Sequence, residues 1–229
     1  MVHLDGPRLA TLSGRPAKTL VVMLHGYGAD GHDLIDLGKI WQTSLVDATF
    51  VSPHAPEECE LSPYGRQWFS LQQYDPDYMR RDPAQLAAAF EKFVGGARKA
   101  QAILENFIHK ELVSLSLGWE NVVLVGFSQG TMVGLFTSLR QKTAPAGVLG
   151  YSGALIGSNT LDEEITSRPP VTLLHGEEDD ILPYPSLSLA EKGLKKAGID
   201  VTTYSRPGLG HSIDMEGIKI GEIFLSSLF

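Results

Sequence analysis

Residues 121–130, Asn-Val-Val-Leu-Val-Gly-Phe-Ser-Gln-Gly, decide the fold of this chain. The apolar run Val122–Val125 is typical of a strand buried on both faces, and the residues after Ser128 have the pattern of a helix. Between them, Gly126-Phe127-Ser128-Gln129-Gly130 fits G-x-S-x-G, in which a serine occupies a tight strand-to-helix turn. The glycines are expected because larger side chains on either side of the serine would clash with neighbouring elements. The segment therefore predicts an α/β sheet that exposes Ser128 at the end of a strand.

The rest of the chain repeats this alternation of short apolar runs and longer helical segments. Strands are predicted at Leu20–Leu24, Ala48–Ser52, Val122–Val125, Val148–Tyr151, Val171–Leu174 and Val201–Tyr204. Helices are predicted at Asp33–Leu45, Gln129–Gln141, Tyr184–Ala197, Ser212–Leu228 and from about Pro83 to Leu117, with Asp82 as N-cap, Pro83 at the first position and a kink or break at Gly95-Gly96. Before Leu20, the turn Ser13-Gly14-Arg15-Pro16 favours an antiparallel edge hairpin. The alternation predicts a single α/β domain over residues 1–229, with a mostly parallel central sheet and helices on both faces.

A base that activates Ser128 is expected at the carboxyl end of another strand, where sites of such sheets form. In hydrolases with this turn, the order along the chain is serine, acid, histidine. Only His175 and His211 follow Ser128, and His175 closes a predicted strand. His211 lies in the loop Gly208–Ser212, before the last helix, and is therefore the candidate base.

The acid that orients this histidine should come from a loop between Ser128 and His211. Four adjacent carboxylates follow the strand Val171–Leu174: Glu177, Glu178, Asp179 and Asp180. A buried carboxylate would orient the imidazole and stabilise its protonated form. Position alone does not choose among the four.

The glycine-rich loop Leu24–Gly31 follows the first strong strand. Acyl transfer requires two backbone N–H groups that face the oxyanion, and we assign these to Gln129 and to Tyr27 in this loop. Gly26, Gly28 and Gly31 also match the dinucleotide pattern G-x-G-x-x-G. The dinucleotide pattern also expects an acidic residue at the end of the next strand. Asp47 lies near that position but precedes its strand, so the dinucleotide interpretation is disfavoured.

Composition excludes several classes of partner. The formal net charge of −8 argues against nucleic acid, and the chain has no apolar run long enough to span a membrane. A single cysteine, Cys59, excludes an intramolecular disulfide, and the N-terminus has no secretory pattern. The expected localisation is cytoplasmic.

Several blocks together resemble the phospholipase/carboxylesterase family of α/β-hydrolases, which includes acyl-protein thioesterases and bacterial carboxylesterases. They are Leu24-His25-Gly26, Ser52–Pro56, Trp68-Phe69, Gly126–Gly130, His175-Gly176 with Asp179 and Pro183, and Gly210-His211-Ser212. The resemblance implies the α/β-hydrolase fold and hydrolysis of carboxylic esters, lysophospholipids or thioesters without a metal or organic cofactor. It also selects Asp179 as the acid, because the family's acid lies three residues after the His-Gly pair.

The chain departs from animal thioesterases of this family at Tyr27, at Thr131-Met132 and over Glu57–Asp82. These departures weigh against protein thioesterase activity. Tyr151 and Val171 bracket only residues 152–170, too few for a cap domain, so the site is expected to be open. Candidates for lining an acyl groove are Trp68, Phe69, Leu71, Ile181 and Leu182, with loop packing as the alternative for Trp68 and Phe69.

The predicted activity is therefore that of a serine carboxylesterase acting on a small acyl ester or thioester, as a monomer or homodimer. The alternatives are a main role as acyl-protein thioesterase or lysophospholipase, a peptidase or dienelactone-type hydrolase, and a non-catalytic binding protein with the same fold.

Overall fold

A computed structural model describes residues 3–77, 82 and 85–229 of the chain. Its strands are β1 Arg8–Leu9, β2 Thr19–Leu24, β3 Ala48–Val51, β4 Glu57–Glu58, β5 Arg66–Gln67, β6 Val122–Phe127, β7 Gly147–Tyr151, β8 Val171–Gly176 and β9 Val201–Arg206. All six predicted strands are present, with ends shifted by at most two residues. Their central members are buried on both faces, as their continuous hydrophobicity indicates.

Seven strands form the central sheet in the order β1-β3-β2-β6-β7-β8-β9. Every neighbouring pair is parallel except β1 and β3, in which Arg8 lies opposite Val51. The predicted edge hairpin is therefore wrong, because β1 is antiparallel but pairs with β3. Ser13 and Arg15 of the predicted turn instead bind the carboxylate of Asp47, which closes the loop against the start of β3.

The α-helices that the structure describes in full are α1 His32–Trp41, α2 Leu86–Glu91, α3 Val94–Leu115, α4 Gln129–Ser138, α5 Leu161–Glu164, α6 Pro185–Lys196 and α7 Met215–Ser227. The predicted start at Pro83 lies outside the described residues. The predicted break falls between α2 and α3, just before the glycine pair. Gly96 is required for close packing, because a Cβ there would lie 2.6 Å from the Cβ of Phe69, whereas a Cβ at Gly95 would meet nothing within 4 Å.

Helices cover both faces of the sheet. Buried side chains of α2, α3, α4 and α6 form one core, and those of α1 and α7 form the other. Between β7 and β8 the chain forms only the short helix α5, and no cap domain is inserted there. None of the helices in the described part of the chain has the length and apolar character that a membrane span requires.

Candidate active site

Ser128 occupies a strained turn between β6 and α4. Its backbone adopts φ 52° and ψ −116°, a conformation that L-residues rarely adopt and that costs about 1–3 kcal/mol. A Cβ at Gly126 would overlap the backbone N of Thr131, and a Cβ at Gly130 would overlap the carbonyl O of Leu24. The glycines of the G-x-S-x-G pattern are thus required by the close approach of α4 to β2 and β6.

Asp179 is the one buried carboxylate among the four that follow β8, with 5% of its surface exposed. Its Oδ1 accepts hydrogen bonds from the N–H groups of Ile181 at 3.0 Å and Leu182 at 2.8 Å. Its Oδ2 lies 2.7 Å from Nδ1 of His211. Burial alone would raise the pKa of Asp179, but hydrogen bonds from His175 and His211 outweigh it and hold that pKa well below the usual range. The carboxylate is therefore ionised, and it accepts the Nδ1 proton of His211.

His211 lies in the loop between β9 and α7, and its ring packs on Phe127 with 4.9 Å between the centroids. The far end of this loop is held by Asp214, whose Oδ1 accepts from Gly217 N as the N-cap of α7 and whose Oδ2 pairs with Arg206. His211 and Ser128 line the same cavity. Since Nδ1 is bound to Asp179, Nε2 is the ring nitrogen that remains for chemistry.

The N–H groups of Tyr27 and Gln129 have no hydrogen-bond partner within the described residues. The Gln129 N–H opens α4, where the partial positive charge of the helix lies. Nδ1 of His25 lies 2.8 Å from the carbonyl O of Gly26. Because the C=O and N–H of a trans peptide point in opposite directions, this bond directs the Tyr27 N–H away from His25. Both groups are therefore free to donate to an oxyanion.

His25 is buried, and its two ring nitrogens have separate partners. Nδ1 donates to Gly26 O, and Nε2 accepts from the N–H of Ala55 at 3.0 Å. Burial lowers the pKa of His25 from 6.5 to about 4. The ring is thus neutral at ordinary pH and fixes the loop that carries Tyr27.

Ser128 and His211 open onto a cavity of about 410 Å³. Most of its lining is apolar. The lining comes from the loop after β2, the segment from β4 to the loop after β5, the starts of α3 and α4, the loop after β8 and the loop that carries His211. The lining residues are Gly26, Tyr27, Ala29, Asp33, Leu61, Leu71, Tyr74, Pro76, Phe93, Phe127, Ser128, Met132, Ile181, Leu182 and His211. Such a pocket is suited to an acyl chain whose carbonyl lies at Ser128.

Leu71, Ile181 and Leu182 line the cavity, whereas Trp68 and Phe69 do not. The Trp68 and Phe69 side chains are buried behind the wall, and Nε1 of Trp68 donates to the carbonyl O of His25 at 3.0 Å. Their role as direct groove residues is thus wrong, and the alternative of loop packing describes them. Both aromatic side chains belong to the hydrophobic core, and Leu71 packs partly against it while also lining the cavity.

Three side chains at the site make contacts that no sequence pattern indicates. The side chain of Gln129 accepts from Trp68 N at 2.9 Å and donates to Phe69 O at 2.8 Å. The hydroxyl of Tyr74 donates to Ile181 O at 2.9 Å, which joins two walls of the cavity. His175 lies buried beside Asp179. The position of His175 four residues before the acid was visible in the sequence, but nothing there indicated a contact.

Asp30, His32 and His54 bring possible metal-ligand atoms within 4.8 Å of one another. Hydrogen bonds within the loop already occupy several of these atoms. Asp30 Oδ1 accepts from His32 N, and His54 Nδ1 accepts from the N–H of Gly31 at 3.1 Å. These loop hydrogen bonds account for the proximity of the three side chains.

The parallel sheet, the strained serine turn and the order serine, aspartate, histidine define an α/β-hydrolase. The profile of the Phospholipase/Carboxylesterase family matches residues 10–228. The chain belongs to this family.

Relatives of the chain include thioesterases and esterases. Acyl-protein thioesterase 1 of Gibberella zeae is 30% identical over 217 residues, which cover 90% of this chain and 88% of that protein. Esterase YpfH of Escherichia coli is 28% identical over 205 residues, covering 90% of this chain and 81% of that one. The crystal structure of esterase PE8 is 37% identical, covers 99% of both chains and superposes with a TM-score of 0.88. The structure of SOBER1 from Arabidopsis thaliana, 22% identical with a TM-score of 0.76 over 93% of this chain and 99% of that one, shows the shared fold.

Proposed function

We propose that this protein is a serine carboxylesterase that hydrolyses acyl esters and thioesters through an acyl-enzyme on Ser128. The observation that carries the proposal is the position of His211, which binds the buried Asp179 through Nδ1 and lines the same apolar cavity as Ser128. Membership of the family and its esterase and thioesterase relatives support the same reaction class.

In the proposed mechanism, His211 takes the proton of the Ser128 hydroxyl as the oxygen attacks the acyl carbonyl. The N–H groups of Tyr27 and Gln129 stabilise the oxyanion, and each such donor is worth about 3–4 kcal/mol in the transition state. His211 then gives the proton to the leaving group. Water activated by His211 releases the acid, and Asp179 stays ionised while it stabilises the imidazolium.

The two sides of the ester differ in their surroundings. The acyl chain is assigned to the apolar cavity of about 410 Å³. A second cavity of about 330 Å³ shares Asp33, Phe127 and His211 with the first. Because His211 delivers the proton to the leaving group, the leaving group is assigned to this second cavity.

The proposal is tested with p-nitrophenyl esters from acetate to palmitate and with an acyl thioester of a small thiol. Ser128→Ala should lower turnover by a factor on the order of 10⁶. The control is Ser114→Ala, an exposed serine on α3, which should leave turnover unchanged. Activity that survives in Ser128→Ala, or a wild-type protein inactive on every ester and thioester, would contradict the proposal.

The pH dependence provides a second test. Protonated imidazole is not a base, so activity should fall on the acid side of neutrality. A flat profile down to about pH 4 would contradict the role of His211 as the base. The oligomeric state, monomer or homodimer, and the cytoplasmic localisation stay predictions from the sequence.

A further inference from the structure

His175, at the end of β8, is a second histidine in contact with Asp179. Its side chain is fully buried, and its Nε2 lies 2.8 Å from the carbonyl O of Leu182 and 3.2 Å from Oδ2 of Asp179. Oδ2 is the same oxygen that lies 2.7 Å from Nδ1 of His211. One carboxylate oxygen thus faces two imidazole rings.

The contacts of His175 determine which ring nitrogen carries the proton. Nε2 faces two oxygens that can only accept, whereas Nδ1 is buried without a hydrogen-bond partner. A proton on Nδ1 would leave a buried donor unpaired and would set Nε2 against two acceptors, both of which are costly. The proton therefore lies on Nε2, shared between Leu182 O and the longer contact to Asp179.

Other charged or titratable groups near His175 either pair with each other or present only a ring edge to it. Tyr184, at the start of α6, presents its ring edge with 6.2 Å between centroids. Arg206 of β9 and Asp214 before α7 border the small void beside His175, and they form an ion pair with each other. The interaction of His175 with charge is thus directed at Asp179.

Resting on the proposed function, we propose that His175 is a positioning residue for the catalytic carboxylate. Its Nε2–H holds Leu182 O and faces Asp179 Oδ2, so it orients the carboxylate toward His211 and offsets part of its negative charge. Because less negative charge is then left on Oδ2 to stabilise the imidazolium, protonation of His211 becomes less favourable. Esterase activity would therefore persist to lower pH than it would without His175.

The proton position is tested first in the unaltered protein by ¹⁵N NMR of the histidine side chains. The expected result is an Nε2-protonated His175 at neutral pH, with an unprotonated Nδ1 and slow exchange of the Nε2 proton. An Nδ1-protonated ring would overturn the proposal, because Nε2 would then have nothing to donate.

The second test measures kcat/KM against pH in three variants. His175→Leu removes the donor, so the acid limb should move to higher pH by about half a unit to one unit. His175→Gln places an amide donor near the position of Nε2 and should return the limb toward that of the wild type. His109→Leu, on the exposed surface of α3, is the control and should leave the profile unchanged.

An unmoved acid limb in His175→Leu, with kcat lowered equally at every pH, would mean that His175 only supports the loop and would overturn the proposal. If His175→Leu does not fold, His175→Asn serves instead, because its shorter amide does not reach Oδ2 and should shift the limb in the same direction. Failure of the proposed function itself would be recognised separately, by activity that survives in Ser128→Ala.

Discussion

The side-chain oxygen of Gln129 accepts a hydrogen bond from the backbone N–H of Trp68 at 2.9 Å. Gln129 also supplies one of the two proposed oxyanion N–H groups, so one residue connects the chemistry to the loop that forms the cavity wall. With its Nε2 donating to Phe69 O, the buried amide pairs with the N–H of one residue and the carbonyl O of the next. No other partner of these two backbone groups is found among the described residues. The loop after β5 and the serine turn are therefore coupled through the side chain of Gln129.

Replacing Gln129 should uncouple them. In Gln129→Met, two buried backbone groups lose their partners, which should lower the free energy of unfolding by about 2–4 kcal/mol. Misplacement of the oxyanion donor should also lower kcat/KM on the order of tenfold to a hundredfold. Urea unfolding and p-nitrophenyl ester kinetics measure the two effects. Gln141→Met, at a buried glutamine beyond α4, is the control and should leave kcat/KM unchanged. Wild-type kinetics in Gln129→Met would contradict the coupling.

The strand pattern and the serine turn were predictable because burial on both faces requires continuous apolar runs and because the turn requires its glycines. The pairing of β1 was not, since a strand of two residues carries no periodicity that identifies its partner. The sequence offered four carboxylates after β8, and only the resemblance selected Asp179. In the structure, burial separates Asp179 from the exposed Glu177, Glu178 and Asp180. The contacts of Gln129 and His175 depend on segments far apart in sequence or on ring orientation, so no local pattern reports them.

Two glycine substitutions test whether the serine turn requires close packing. A methyl group would clash at one of these glycines and would meet open space at the other. Gly130→Ala should destabilise the protein by about 3 kcal/mol or more and abolish esterase activity, because the methyl group overlaps the carbonyl O of Leu24. Gly95→Ala, in an open position of α3, should stabilise it by about 0.5–1 kcal/mol and leave activity intact. Thermal melting of both variants measures the change in stability, and ester hydrolysis measures the change in activity. An active, stable Gly130→Ala would show that the tight contact is not needed.

His25 should make stability depend on pH. The unfolded chain takes up a proton on this histidine near pH 6.5, whereas the folded protein does so only near pH 4. Because the unfolded state binds more protons between these values, the folded state loses stability as pH falls from about 6.5 to about 4. The loss from this group is about 3 kcal/mol.

The measurement is urea unfolding at pH 7, 5 and 4 in the wild type and in His25→Gln, whose amide oxygen can still accept from Ala55 N. The difference between pH 7 and pH 4 should be smaller in the variant by about the same 3 kcal/mol. Equal pH dependence in the two proteins would mean that His25 is not held neutral. His109→Gln, at an exposed histidine, should behave like the wild type.

Leu71 should limit the length of the acyl chain. Leu71→Trp fills part of the apolar cavity, so binding of about two methylenes should be lost, at about 0.8 kcal/mol each. The ratio of kcat/KM for the octanoate ester to that for the acetate ester should then fall about tenfold. Val113→Trp, on the exposed face of α3, is the control and should keep the ratio. An unchanged ratio in Leu71→Trp would contradict the assignment of the acyl chain to this cavity.

Asp33 should influence the charge of the leaving group. Its carboxylate is exposed at the border of both cavities, and partial desolvation there together with the nearby Asp30 raises the pKa of Asp33. An anionic leaving group is therefore disfavoured relative to a cationic one of the same size.

Asp33→Asn should reduce the preference for a butyryl ester with a quaternary ammonium leaving group over one with a sulfonate leaving group. In the wild type, 1 M salt should reduce the same preference. Asp36→Asn, an exposed carboxylate one turn along α1 that does not line either cavity, should keep the wild-type preference. If the two variants behaved alike, the general charge of this face, and not Asp33, would set the selectivity.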